Sequence, residues 1–125
     1  PGTDSHYRME IPLGSSGLKA VKLIRRNASV ETEVANFGAL NAPASGVWAR
    51  YRITFWLLGS KLYNRFEYSL TSPYTSFTQL GNDIPDDSPL TSAAGDVIGV
   101  GIIRPATNFA TSGNVWFDAT EKCNP

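Results

Sequence analysis

Aromatic and basic side chains alternate along the segment "GVWARYRITFWLLGS", residues 46–60. Successive side chains of a β-strand point to opposite faces of the sheet. One face of this segment would therefore be apolar, with Val47, Ala49, Tyr51, Ile53, Phe55 and Leu57. The other would carry Trp48, Arg50, Arg52, Thr54 and Trp56. The pattern predicts a strand with one face in the core and a second face equipped to contact a ligand.

The next segment extends this second face. "LYNRFEYSL" follows the small-residue turn "GSK", which predicts a β-hairpin with the preceding strand. Tyr63, Arg65 and Glu67 would then lie beside Trp56 and Thr54 on one sheet face. Aromatic rings pack against the C–H faces of sugar rings, and arginine and glutamate can bond sugar hydroxyls. This combination favours a polysaccharide or other glycan as the partner.

Five residues of this face are the predicted ligand contacts: Trp48, Arg50, Arg52, Tyr63 and Arg65. Several arginines in an otherwise neutral chain favour a sugar that bears carboxylate or sulfate, which guanidinium binds through two hydrogen bonds. Trp116, out of register with its apolar neighbours in "NVWFDA", is a sixth candidate. The alternative for each tryptophan is structural cover or a subunit interface, and the arginines also suit an ordinary solvated face.

The segment "GNDIPDD" is acidic and offers hard oxygen ligands close together. Asp83, Asp86 and Asp87 are the candidate metal ligands, and Ca²⁺ is the cation that such oxygens suit. The spacing is not that of an EF-hand. The alternative is a solvated turn whose side chains bond nearby backbone amides.

No catalytic motif stands out, so we expect a protein that is not an enzyme. The single histidine, His6, would have to serve any Ser-His or Cys-His nucleophile, and there is no GxSxG motif to position a serine. Carboxylate pairs such as Glu67 with Asp118 would suit glycoside hydrolysis, but nothing in the sequence selects them.

Composition limits the class of protein. The 125 residues are enough for one domain spanning 1–125, and the opening "PGTDSHYR" suggests a domain excised from a larger protein. Eleven basic residues balance eleven acidic ones, which argues against nucleic acid as a partner. No apolar run approaches the roughly 18 residues of a membrane span. The lone cysteine, Cys123, cannot form an internal disulfide.

About eight short apolar or alternating segments, separated by Gly, Pro, Asn and Ser, predict an all-β fold. The later segments include "SFTQL", "DVIGVGIIR" and "GNVWFDATEK", with "GNDIPDDSPLTSAAG" as the longest irregular loop. No window has a helical period. The pattern is typical of a single antiparallel β-sandwich or jelly roll.

The order of these segments resembles galactose-binding-like jelly rolls, in particular their carbohydrate-binding modules. The resemblance covers roughly residues 46–120 and is carried by "YRITFWLLGSKLYNRFEYSL", "YTSFTQL", "DVIGVGII" and "SGNVWFDAT". It implies a non-catalytic, secreted module attached to an extracellular glycan-degrading enzyme. The chain departs from the pattern in being short and in lacking an evident N-terminal calcium-binding segment.

A second class of protein fits the same features. The C-terminal protruding domains of small RNA virus capsid proteins are compact β-sandwiches of this size. Exposed tryptophans would then form a subunit interface or a receptor contact on the virion surface, and the domain would form homo-oligomers.

Overall fold

The computed structural model describes residues 5–11, 18–41, 43 and 48–90, and every regular element within them is a β-strand. The predicted all-β class is confirmed for this part of the chain. Contacts divide the chain into two units, Pro1–Thr91 and Ser92–Pro125, and the described residues belong to the first. The predicted strands at residues 96–104 and 113–122 lie outside the described residues. The described part contains no helix long and apolar enough to cross a membrane.

The strands form two antiparallel sheets. The first sheet has the order β1-β2-β3, with β1 at His6–Glu10, β2 at Leu18–Asn27 and β3 at Val30–Asn41. The second contains β4 at Arg50–Leu58, β5 at Lys61–Ser69, β6 at Thr78–Gln79 and β7 at Ile84–Asp86. Strand β4 pairs with one edge of β5, while β6 and β7 pair with successive parts of its other edge. Strand β7 lies within the segment predicted to be an irregular loop.

Phe66 on β5 joins the two sheets. It is fully buried and belongs to one cluster with Val21, Leu23, Ala35, Phe37 and Leu40 of the first sheet. Its ring lies 6.1 Å from the Phe37 ring and 5.7 Å from that of Tyr51, measured between centroids. The apolar faces of the two sheets therefore share a core, which is consistent with a β-sandwich.

The apolar face of β4 is less buried than its pattern predicted. Tyr51 packs against the core, but Ile53, Phe55 and Leu57 are 37%, 45% and 69% exposed. The predicted register is correct, since Ile53 lies opposite the buried Phe66. Within the described residues β4 pairs only with β5, and these three apolar side chains remain accessible on its face.

Two glycines permit the close turns of the second sheet. Gly59 begins the β4–β5 turn with φ of 63°, a conformation that costs glycine little and that suits the first position of a type II′ hairpin. Gly81 has φ of 65°, and a Cβ there would lie 2.3 Å from the Phe37 carbonyl oxygen. The link between β6 and β7 therefore passes directly over β3.

Candidate functional site

The β4–β5 hairpin places the predicted polar side chains on one sheet face. Its register pairs Trp56 with Tyr63, Thr54 with Arg65, and Arg52 with Glu67. These are the cross-strand neighbours expected from the sequence, and the two-residue turn fixes the register. We call the surface formed by these six residues together with Phe77, Gln79 and Asp83 the ladder face.

Aromatic stacking orders one end of the ladder face. The rings of Trp56 and Tyr63 lie nearly parallel, at 18°, with centroids 5.6 Å apart. The Arg65 guanidinium carbon lies 5.3 Å from the centre of the Trp56 ring, within the range of a cation–π contact. Trp56 is therefore partly covered by its two neighbours, while its indole sets the positions of both.

Each arginine of the ladder face is held by a carboxylate through two nitrogens. Arg52 donates from Nε and Nη2 to Glu67, both at 2.7 Å. Arg65 donates from the same atoms to Asp83, at 2.8 and 2.7 Å. The Nη1 atoms take no part in these pairs. The Arg52 guanidinium also lies over the Phe77 ring, 4.2 Å from its centre, so both guanidinium planes are fixed.

These pairs keep both carboxylates charged. The hydrogen bonds from Arg52 lower the pKa of Glu67, although burial opposes the change. The hydrogen bonds from Arg65 lower the pKa of Asp83 in the same way. A general acid in glycoside hydrolysis needs a raised pKa. Neither of these carboxyl groups meets that requirement, and Asp118 lies outside the described residues.

The remaining predicted ligand contacts are distributed differently. Trp48 lies just before β4 and is 55% exposed. Arg50 is the first residue of β4, where it lies opposite Ser69 and is exposed. Trp116 lies outside the described residues. The structure therefore brings Arg52, Tyr63 and Arg65 together and places Arg50 at the end of the same strand.

The three candidate metal ligands have different cationic partners. Asp83 binds Arg65, Asp86 binds Arg25, and Asp87 contacts Lys61 Nζ at 2.7 Å. Asp83 precedes β7 and Asp86 is the last residue of that strand. The side chain of Asp87 is 70% exposed. No group of three or more His, Cys, Asp or Glu that could hold a metal occurs among the described residues.

Asp86 instead connects the two sheets. Its carboxylate accepts a hydrogen bond from Tyr7 Oη at 2.6 Å, one from Ser88 N at 3.0 Å, and one from Arg25 Nη1. Tyr7 and Arg25 are cross-strand neighbours in the first sheet, while Asp86 ends β7 in the second. Burial and the bond to Asp86 raise the pKa of Tyr7 to about 12. This buried cluster holds β7, and through it the second sheet, against the first sheet.

Sequence reasoning missed three members of the ladder face. The sequence pattern predicts Asp83 as a metal ligand, and it predicts Phe77 and Gln79 only as parts of a short strand. Gln79 pairs with Glu67 across β5 and β6, and its Nε2 donates to Asp83 at 3.0 Å. The alternation in "SFTQL" places Phe77 and Gln79 on one face and was the available signal.

Comparisons with protein-family models, with curated proteins and with solved structures gave no match to this chain.

Proposed function

We propose that this domain binds an extracellular glycan without catalysing its breakdown, using the ladder face, together with Trp48 and Arg50 beyond its end, of a sandwich of the jelly-roll type. The proposed contacts are Trp48, Arg50, Arg52, Tyr63 and Arg65. The observation that carries the proposal is the double restraint on each ladder arginine, by a carboxylate and by an aromatic ring. The proposal includes that the domain is a secreted module attached to a larger protein.

The restraint matters because binding ordinarily costs conformational entropy. An exposed arginine loses about 0.5–1.5 kcal/mol of rotamer freedom when a ligand immobilises it. Arg52 and Arg65 have lost much of that freedom before a ligand arrives. Their Nη1 groups would donate to sugar hydroxyls, and the carboxylate oxygens would accept from them.

The charge balance of the ladder face favours a neutral glycan. Arg52 and Arg65 are each paired with a carboxylate, so their positive charges are already compensated. An acidic sugar would have to compete with Glu67 and Asp83 for the guanidinium groups. We therefore propose hydroxyl recognition, in place of the sugar carboxylate or sulfate expected from the sequence.

Trp48→Ala should weaken glycan binding about tenfold, since stacking on one aromatic side chain contributes about 1–3 kcal/mol, by analogy with base stacking. The matched control is Phe55→Ala, which removes another half-exposed aromatic from the β4 region. Phe55 lies on the opposite face of β4 from Arg52, so its loss should leave affinity unchanged. Isothermal titration with neutral polysaccharides measures both effects. Equal affinities of the two variants for the glycan would show that Trp48 does not contact it.

One observation favours the protruding domain of a small RNA virus capsid as a second candidate. Ile53, Phe55 and Leu57 expose a contiguous apolar row on one face of β4. Such a row is typical of an interaction surface. A stable dimer or trimer by light scattering, dissociated by Phe55→Asp and combined with no glycan binding, would favour this candidate over the module.

A further inference from the structure

A hydroxyl-lined pocket lies at the end of the second sheet. Its volume is about 320 Å³, at the lower end of the roughly 300–1,000 Å³ found for small-molecule sites. The described residues that line it carry no charge. Seven of them have a side-chain hydroxyl group: Tyr68, Ser69, Thr71, Ser72, Thr75, Ser76 and Thr78.

The pocket continues the line of the ladder face. Ser69 pairs with Arg50, one pleat repeat from the pair of Arg52 with Glu67, a step of about 7 Å along the strands. Thr78 pairs with Tyr68, and these two residues point to the face opposite Glu67 and Gln79, so the pocket surrounds the end of β5 and has lining residues from both faces of the sheet. A chain-like ligand that lies along β5 on the ladder face would therefore meet Ser69, at the edge of the pocket, one step beyond Arg52.

Two backbone hydrogen bonds support the loop that forms the pocket, one within it and one just after β6. Tyr74 N donates to Thr71 O at 2.8 Å within the loop, and Leu80 N donates to the carbonyl oxygen of the buried Phe66 at 3.0 Å. Most of its hydroxyl-bearing residues are nevertheless exposed. The pocket thus combines a supported backbone with several accessible donors and acceptors, which suits a ligand rich in hydroxyl groups.

We propose that this pocket is a terminal subsite for one uncharged sugar ring of the glycan bound on the ladder face, an inference that rests on the function proposed above. The pocket hydroxyls would exchange hydrogen bonds with the ring hydroxyls, while Leu70 and Pro73 supply apolar surface for its C–H groups. The absence of charge among the described lining residues selects against uronic acids and sulfated sugars at this position.

The test is a length series of neutral oligosaccharides. Cello-, xylo- and galacto-oligosaccharides of two to six units are titrated into the wild type and into Thr71→Val/Thr75→Val, which removes two hydroxyls at nearly constant shape. Thr32→Val, on the exposed surface of β3, is the matched control. We expect the double variant to lose about threefold to tenfold in affinity for the longest bound oligosaccharide, as for one or two lost hydrogen bonds, and to lose less for the shortest.

The outcomes separate the two proposals. Binding by the wild type with an equal affinity of the double variant for every length would overturn the subsite and leave the ladder face intact. Failure of the wild type to bind any oligosaccharide or polysaccharide would overturn the proposed function, and the subsite with it. Retention of wild-type affinity by Thr32→Val, beside a length-dependent loss in the double variant, would support the subsite.

Discussion

Asp86→Ala is expected to lower the free energy of unfolding by about 3–5 kcal/mol, the usual cost of removing one partner from a buried ion pair. The Asp86 side chain is 5% exposed and that of Arg25 is 17% exposed. The substitution would leave the arginine and the Tyr7 hydroxyl without their shared acceptor in the core. Urea denaturation measures the loss. The control is Asp87→Ala, whose exposed carboxylate should contribute nothing measurable. Equal midpoints for the two variants would contradict the assignment.

The same cluster predicts the direction of a pH effect. Burial disfavours the charged form of Asp86, but bonds from Tyr7 and Ser88 and the pairing with Arg25 outweigh it and lower the pKa of the carboxyl. The unfolded aspartate has a pKa of about 3.9. The stabilisation is therefore complete above about pH 5 and is lost as the pH falls through the lower folded value. The stability difference between wild type and Asp86→Asn should shrink from pH 7 to pH 3, and a constant difference would exclude this linkage.

Phe66→Ala should also destabilise the fold by about 3–5 kcal/mol, because it empties a fully buried site between the two sheets. Phe55→Ala deletes the same atoms from the neighbouring strand, on the same face of the sheet. Phe55 is 45% exposed, so we expect a loss of about 1 kcal/mol or less.

This pair of variants compares one side chain in two environments, and chemical denaturation of both gives the difference directly. A loss of similar size for the two phenylalanines would show that the β4 face is covered in solution. It would then restore the core role that the sequence predicted for Phe55.

The hairpin and its register were predictable because the information is local. Alternation over nine residues assigns the faces of β4 and β5, and Gly59 marks a turn whose length fixes the pairing. The burial of the β4 face was not predictable in this way. It depends on how far the opposite sheet extends over Ile53, Phe55 and Leu57, which is a property of tertiary packing.

The ion-pair partners of the acidic segment were also not predictable from the local sequence. The spacing of Asp83, Asp86 and Asp87 suggests one shared site, yet strand β7 directs the carboxylates to different neighbours. Arg25 lies 61 residues before Asp86, and Tyr7 lies 79 residues before it. Contacts at such separations arise from the packing of the two sheets and leave no periodic signal in a single sequence.

The most direct test of the glycan-binding proposal is isothermal titration of three proteins with neutral and acidic polysaccharides. Arg52→Lys retains the charge on the ladder face and removes the planar fork. Arg8→Lys makes the same change at an arginine that binds Glu31 on the first sheet. The account predicts wild-type binding to a neutral polysaccharide, about tenfold weaker binding by Arg52→Lys through loss of a charge-assisted hydrogen bond, and unchanged binding by Arg8→Lys. Equal affinities of all three proteins, or no binding by the wild type, would contradict it.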